Sequence, residues 1–255
     1  PMDKHLTSAP ALKVLSIIIV FCAWEYAGRI PVSPAFPTFL ETMQGLWEIT
    51  IDGSLLRAYP ETLKPLILGV AISAVLGITI GVAIGLSFKV EWFASPIFVV
   101  MQSAPLAALI PLLVLAYGIG LTSKVMVVCI MAMPVIVLNS ANAVRHTPTS
   151  IKEMGRSFLG SPMEIIFKII LPSAAPVIFA GLRLGVSAGF IGAILSELLI
   201  TPTGIGDVIT YNQAIAEYAK MYAAIFSIIV LAVVFLDVIE KIELTLFRPD
   251  KRVSA

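Results

Sequence analysis

The sequence predicts an all-α integral membrane protein with six spanning helices, and three observations carry that prediction. Of its 255 residues, 58% are hydrophobic and 13% charged, against about 45–50% and about 25% in a soluble domain. The mean hydropathy is +0.99. Six apolar runs, at about 11–28, 62–87, 93–117, 123–143, 173–199 and 221–244, approach or exceed the ~20 residues that cross a bilayer. With so few charges, lipid is the main solvent, and the whole of 1–255 is expected to form one transmembrane domain.

The first run follows Lys4 and Lys13 and lacks a small-x-small cleavage site, so it is expected to remain as a span and not be removed as a leader. Between it and the second run lies Arg29–Tyr59, with Pro31, Pro34 and Pro37. Phe39, Leu40, Met43, Leu46 and Trp47 then share one helical face, which predicts an interfacial helix, and Asp52–Gly53 supplies a turn. The second span carries Gly69, Gly77, Gly81 and Gly85 in register, and the fifth carries Gly181, Gly185 and Gly189. Such stripes let helix backbones approach closely; they either pack the bundle or line a path through it.

Prolines interrupt the spans at Pro96, Pro105, Pro111 and Pro134. Proline lacks a backbone donor and bends a helix, which a membrane tolerates where neighbours or a cavity satisfy the freed carbonyl. Gln102–Gly120 is therefore expected to be a bent helix ending at the Gly118–Gly120 turn. Such bends suit gating and also occur in static bundles.

Lysine and arginine orient the chain. Lys4, Lys13, Lys89, Arg145, Lys152, Arg156, Lys168, Arg183, Lys241, Arg248, Lys251 and Arg252 fall on one side, and Arg29, Arg57, Lys64, Lys124 and Lys220 on the other, twelve against five of the seventeen. Both termini are thus expected in the cytoplasm, as is the connection 144–172.

Several function classes drop out. The net charge of +1 gives no basic surface for nucleic acid. Cys22 and Cys129 lie in separate apolar runs, and His5 and His146 belong to no cluster, so neither a disulfide framework nor a metal site is expected. No G-x-x-x-x-G-K-[ST] is present to bind ATP, and no H-E-x-x-H or nucleophile elbow to catalyse; no catalytic residue is assigned.

Polar residues inside spans suggest function by default. Arg183 and Asp237 both lie about 15 Å from a helix end and are candidates for an ion pair across the bundle. Glu25 has a structural role near the end of the first span. Gln102, Ser103, Asn139, Asn142 and Ser187 offer hydrogen bonds either to a solute or between helices, and Pro105 joins Gln102, Ser103, Asn139 and Ser187 as a candidate path residue.

The 144–172 connection says more. Glu153–Phe158 and Pro162–Ile170 are expected to be short helices joined by Leu159–Gly160–Ser161, with Ser161 as N-cap and Pro162 at the first helical position. Glu153, Arg156, Phe158, Met163, Glu164, Phe167 and Lys168 mix charge with apolar area, a surface that docks in a groove. From Glu153 the chain runs EMGRSFLGSPMEIIFKIILPSAAP. This resembles the EAA loop of binding-protein-dependent ABC transporter permeases, E-A-A, three residues, G, nine residues, I-x-L-P. The spacing holds to Ile169, Leu171 and Pro172, while Met154 and Gly155 replace the alanines and Leu159 the glycine. Gly181–Leu199 with the following TPTGIGDVI, Leu106–Gly120, and VSPAFPTFLETM resemble, in order, the nitrate/sulfonate/taurine branch of that family.

The resemblance implies a type I importer permease, multi-pass in the inner membrane, that binds no cofactor itself. ATP and magnesium would sit on separate ATP-binding cassette subunits docked on the loop. A periplasmic or lipid-anchored binding protein would deliver a small anion such as nitrate, a sulfonate or bicarbonate, docking near Glu197, Thr203 and Gly204, and a second permease copy would complete the path within the lipid. The rival is a secondary transporter driven by an ion gradient, which would favour internal repeats and mid-membrane ion sites. A membrane-embedded enzyme lacks a catalytic constellation.

Overall fold

The computed structural model describes residues 9–30, 33, 35–200 and 202–247. Lys4, His5, Pro31, Pro34, Thr201, Arg248, Lys251 and Arg252 lie outside them. Helices follow in the order α1 Ala9–Arg29, α2 Phe39–Ile51, α3 Ser54–Leu86, α4 Phe88–Ser103, α5 Leu106–Tyr117, α6 Leu121–Arg145, α7 Thr149–Ser157, α8 Pro162–Ile165, α9 Leu171–Leu199, α10 Gly204–Ala214 and α11 Tyr218–Phe247. A π-helical turn, Ile166–Ile170, joins α8 to α9, and there is no strand among the described residues. Five helical stretches are long and apolar enough to cross a membrane, and α4 and α5 meet that test only together, as one sharply bent pair.

The bundle is organised around α6, which is held between α3 and α9. Val127, Val128, Ala132, Ile136 and Val137 on α6 are fully buried. Gly77, Gly81 and Gly85 of α3 and Gly181 and Gly185 of α9 face this helix, while Gly189 faces Val70 and Leu66 of α3. A Cβ at Gly81 would sit 2.5 Å from the Val137 carbonyl oxygen, and one at Gly181 would sit 2.5 Å from Cβ of Asn139; at Gly185 it would run into Ile136. Without a hydrophobic drive between helices in lipid, such close contact is what holds them together. The stripes therefore pack α3 and α9 onto α6.

Helix α3 starts eight residues before the expected span. Gly53, with φ of 75°, turns the chain, and the Asp52 carboxylate accepts from the Ser54 N–H at 2.8 Å. At 33 residues the helix is about 50 Å long, so its first turns, with Arg57, Glu61 and Lys64, extend past the hydrocarbon. The bend expected in Gln102–Gly120 is a break: α4 and α5 meet at 103°. Ala104 is extended, with ψ of 136°, as the residue before a proline prefers, and Pro105 starts the new direction. The fifth span also begins earlier than expected, because α8, the π turn and α9 run on without interruption from Pro162. Pro172 offers no N–H to the carbonyl four residues back and crowds it; the wider π turn immediately before gives that turn room.

Around this core α2 lies on α11, with Gly45 against the Ala219 backbone. The interfacial helix is formed, but its inward face is Thr42, Gly45 and Ile49, while Leu40 and Trp47 are 57% and 69% exposed. In lipid the apolar stripe is the one that faces the solvent, so the direction is reversed from a soluble helix. Helix α1 is outermost and is pinned at one end by Phe21 and Trp24 stacking on Phe39 and Phe226. There Glu25 accepts from the Leu40 N–H at 3.0 Å and pairs with Arg29 at 2.8 Å, the structural role expected of it.

Candidate functional site

Two regions at opposite ends of α9 concentrate the unusual chemistry. The first is the α7–α8 hairpin. The helices cross at Gly155, which is buried, where an added Cβ would strike Ile169. The loop needs Leu159 at φ of 57°, and the Gly160 N–H returns to the Gly155 carbonyl at 3.2 Å. Ser161 caps α8 as expected: its hydroxyl accepts from the Glu164 N–H, and the Glu164 carboxylate accepts from the Ser161 N–H at 3.0 Å. Glu164 also holds Lys168 at 2.9 Å.

That framework presents an apolar tip. Phe158 is 80% exposed and Leu159 93%. Met154, Met163 and Phe167 are exposed around them, with Glu153 and Arg156 at the rim. At its base the tip is continuous with a spanning helix, because α8 passes through the π turn into α9. Leu159 is its most exposed member, at the position where the motif has glycine.

The second region is the far end of α9. Glu197, Thr203 and Gly204 mark the end where the resemblance implies that a binding protein docks; Glu197 is 2% exposed, Gly204 is buried, and Thr203 alone is exposed. The reason is α10, a helix the sequence reading did not foresee. It folds back over the end of α9, and its first backbone N–H groups need acceptors. Glu197 Oε2 accepts from the Gly206 N–H at 2.9 Å and from the Thr62 hydroxyl at 3.1 Å; Thr62 in turn accepts from the Ile205 N–H at 2.9 Å. A carboxylate at a helix N-terminus is favoured by the helix dipole. Gly204, at φ of 73°, leaves space where a Cβ would overlap Glu197 Oε1, an oxygen without a hydrogen-bond partner. Lys124, 5% exposed, reaches the Thr203 hydroxyl at 2.5 Å. Glu197 thus ties α3, α9 and α10 together. The signal available in the sequence was Thr203-Gly-x-Gly followed by Asp207, a helix start rich in donors.

The intramembrane pair differs from expectation. Arg183 pairs with Glu240 at 2.8 Å and Asp237 with Lys241 at 2.6 Å. The contact between α9 and α11 forms, but Glu240 is one turn nearer the helix end than Asp237. A long arginine side chain extends toward that wetter edge, and Asp237 has a cation on its own helix.

The candidate path residues do not converge. Ser103 Oγ donates to the Val99 carbonyl at 2.8 Å beside the exposed Gln102 and Pro105 at the α4–α5 break. Asn139 donates to Val135 on its own helix at 2.8 Å and is covered by Gly181. Ser187 lines a groove of about 370 Å³ with Phe190 and Ile228 between α9 and α11. No hydrogen bond joins any two of the five among the described residues. No group of three metal-ligating side chains occurs among them either.

Comparison with known proteins places this geometry. Residues 73–245 match the family described as binding-protein-dependent transport system inner membrane component. The chain is 24% identical over 241 residues to the taurine transport system permease protein of Escherichia coli, covering 92% of this chain and 85% of that one. It is 26% identical over 211 residues to the nitrate import permease protein of Leptolyngbya laminosa, covering 78% and 73%. Among solved structures it superposes on a chain of the MetNI methionine ABC transporter, captured in inward-facing conformations, with a TM-score of 0.64 and 22% identity over 76% of this chain and 95% of that one.

Proposed function

From the premise that the chain belongs to the family of binding-protein-dependent transport system inner membrane components, and so is the transmembrane subunit of an ATP-driven importer, we propose how it works and what it carries. The α7–α8 tip docks in a groove on a separate ATP-binding cassette subunit, where ATP and magnesium are bound and hydrolysed. One observation carries this: an apolar knob of Phe158, Leu159 and Met163, 66–93% exposed, stands on a capped helix that continues into a spanning helix. A knob of that kind is costly to leave in water and is suited to burial in a partner.

Two copies of the chain form the path, and an extracytoplasmic binding protein delivers the solute to the α10 end. The tip side is cytoplasmic, as the lysine and arginine distribution indicates. The solute is a small anion of the nitrate, bicarbonate or sulfonate class, a reading supported by the taurine and nitrate permeases among its relatives. ATP binding draws the two tips together and the spans open outward; hydrolysis restores the inward state. The chain itself breaks no bond in the solute.

The test is affinity purification of the tagged chain from its native membrane in mild detergent, with mass spectrometry and an ATPase assay. A P-loop subunit should co-purify with the wild type and be lost when Phe158–Met163 is replaced or, more weakly, in Glu153→Ala. A chain that comes out alone and transports after reconstitution without ATP would sink the docking proposal.

A further inference from the structure

A second surface of the α7–α8 hairpin lies behind the apolar docking tip and shares only the rim residue Arg156 with it. Between the hairpin and the end of α3 is a groove of about 390 Å³, lined by Leu86, Lys152, Arg156, Pro162, Ile165 and Ile166 among others. None of the tip residues Phe158, Leu159, Met163 and Phe167 lines it. Lys152 and Arg156 are one turn apart on α7, so both project from the same face. Neither side chain makes an ion pair or hydrogen bond among the described residues, although Glu164 takes Lys168 and Glu91 takes Arg145 close by. The groove therefore has two unneutralised cations at its rim and isoleucine and leucine side chains within.

Its wall carries the aromatic residues typical of a membrane interface. Leu86 is the last residue of α3, and the next helix begins with Phe88, Trp92 and Phe93, which are 70–79% exposed. Exposed tryptophan is enriched at the level of the lipid headgroups. Two cations above an apolar trough at that level match the two parts of one molecule: a phosphate on a glycerol backbone and the first methylenes of an acyl chain. We propose that this groove binds the headgroup of an anionic phospholipid, with Lys152 and Arg156 on the phosphate and Leu86, Ile165 and Ile166 against the acyl chain. The site sits under the hairpin and on the π-turn segment, so a bound lipid braces the hairpin from the membrane side while its tip stays free.

The test uses the purified complete importer in nanodiscs of phosphatidylcholine with phosphatidylglycerol, reading retained lipid by native mass spectrometry after extraction. Phosphatidylglycerol should be retained over phosphatidylcholine. In Lys152→Gln/Arg156→Gln its retention should fall on the order of tenfold, while Lys152→Arg/Arg156→Lys and a distant Lys13→Gln control keep it. Photoreactive phosphatidylglycerol on the wild type should crosslink to Leu86 or to residues 162–170, which keeps the test decisive if the double variant does not fold. Equal retention of the two lipids, or adducts spread evenly over the spans, would overturn the proposal. So would loss of the ATPase subunit from the double variant with lipid retention unchanged, since the cations would then serve that partner, or displacement of the lipid by millimolar inorganic phosphate alone.

Discussion

Glu197→Ala is the most informative single change. It removes the acceptor shared by the Gly206 N–H and the Thr62 hydroxyl at 2.9 and 3.1 Å, at a site only 2% exposed. Each buried donor left without a partner costs about 1–3 kcal/mol, so for two donors the gross loss is about 2–6 kcal/mol, toward the low end because the Thr62 hydroxyl also reaches the Ala58 carbonyl at 3.5 Å. Part is returned, because a carboxylate no longer has to be buried, and a net destabilisation of about 2 kcal/mol is expected. The partner change is Gly204→Ala. It forces an alanine to φ of 73° and drives its Cβ into Glu197 Oε1, with about 1–2 kcal/mol from the left-handed backbone alone. In the Glu197→Ala background the overlap with the carboxylate is gone, so Gly204→Ala should cost less there than in the wild type. The assay is thermal unfolding of the detergent-purified chain by fluorescence-detected size exclusion, for both single variants and the double variant. Strict additivity, or a Glu197→Ala protein that melts with the wild type, would refute the claim that this carboxylate holds α3, α9 and α10 together.

Three other outcomes are expected. Gly81→Ala places a methyl 2.5 Å from the Val137 oxygen and 2.6 Å from Ser140 Cβ and should cost about 1–3 kcal/mol through forced separation of α3 and α6, read as a lower melting temperature. Gly192→Ala, whose nearest neighbours are 3.2 Å away, should lose less. The charge exchange Arg183→Glu/Glu240→Arg should recover folded yield lost in either single variant, measured as monodisperse protein per litre, whereas Arg183→Asp/Asp237→Arg should not. Ser161→Ala removes the cap of α8, worth about 1 kcal/mol, and should speed amide hydrogen exchange in residues 162–168 while leaving α9 protected.

Much of the fold was legible because lipid imposes simple rules. Apolar run lengths located the five long spans and the α4–α5 pair, the glycine registers at 77–81–85 and 181–185 marked the faces that meet α6, and the Ser161–Pro162–x–Glu164 pattern gave the start of α8 to the residue. What was not legible depended on a second element. Glu197 was named only as a residue near a docking end because nothing in its own run shows that α10 folds over it. Asp237 looked like the partner of Arg183 because depth was counted along helices, whereas reach depends on where a flexible guanidinium is drawn. Trp47 and Leu40 were assigned to one face correctly, but which side of the helix would meet protein was decided by Gly45 and its contact with α11.

The continuity of Pro162–Leu199 has a mechanical meaning. Thirty-eight residues make a rod of about 57 Å, so tilting it by about 5° moves one end about 5 Å relative to the other. The apolar knob stands at one end of this rod and the buried carboxylate of Glu197 at the other. The rod's far end is clasped to α3 and α10, so a pull on the knob is delivered to three helices at once, and the π turn sets how much of it is lost on the way. In the proposed docking, stiffness in those five residues sets how much of a movement at the knob reaches Glu197.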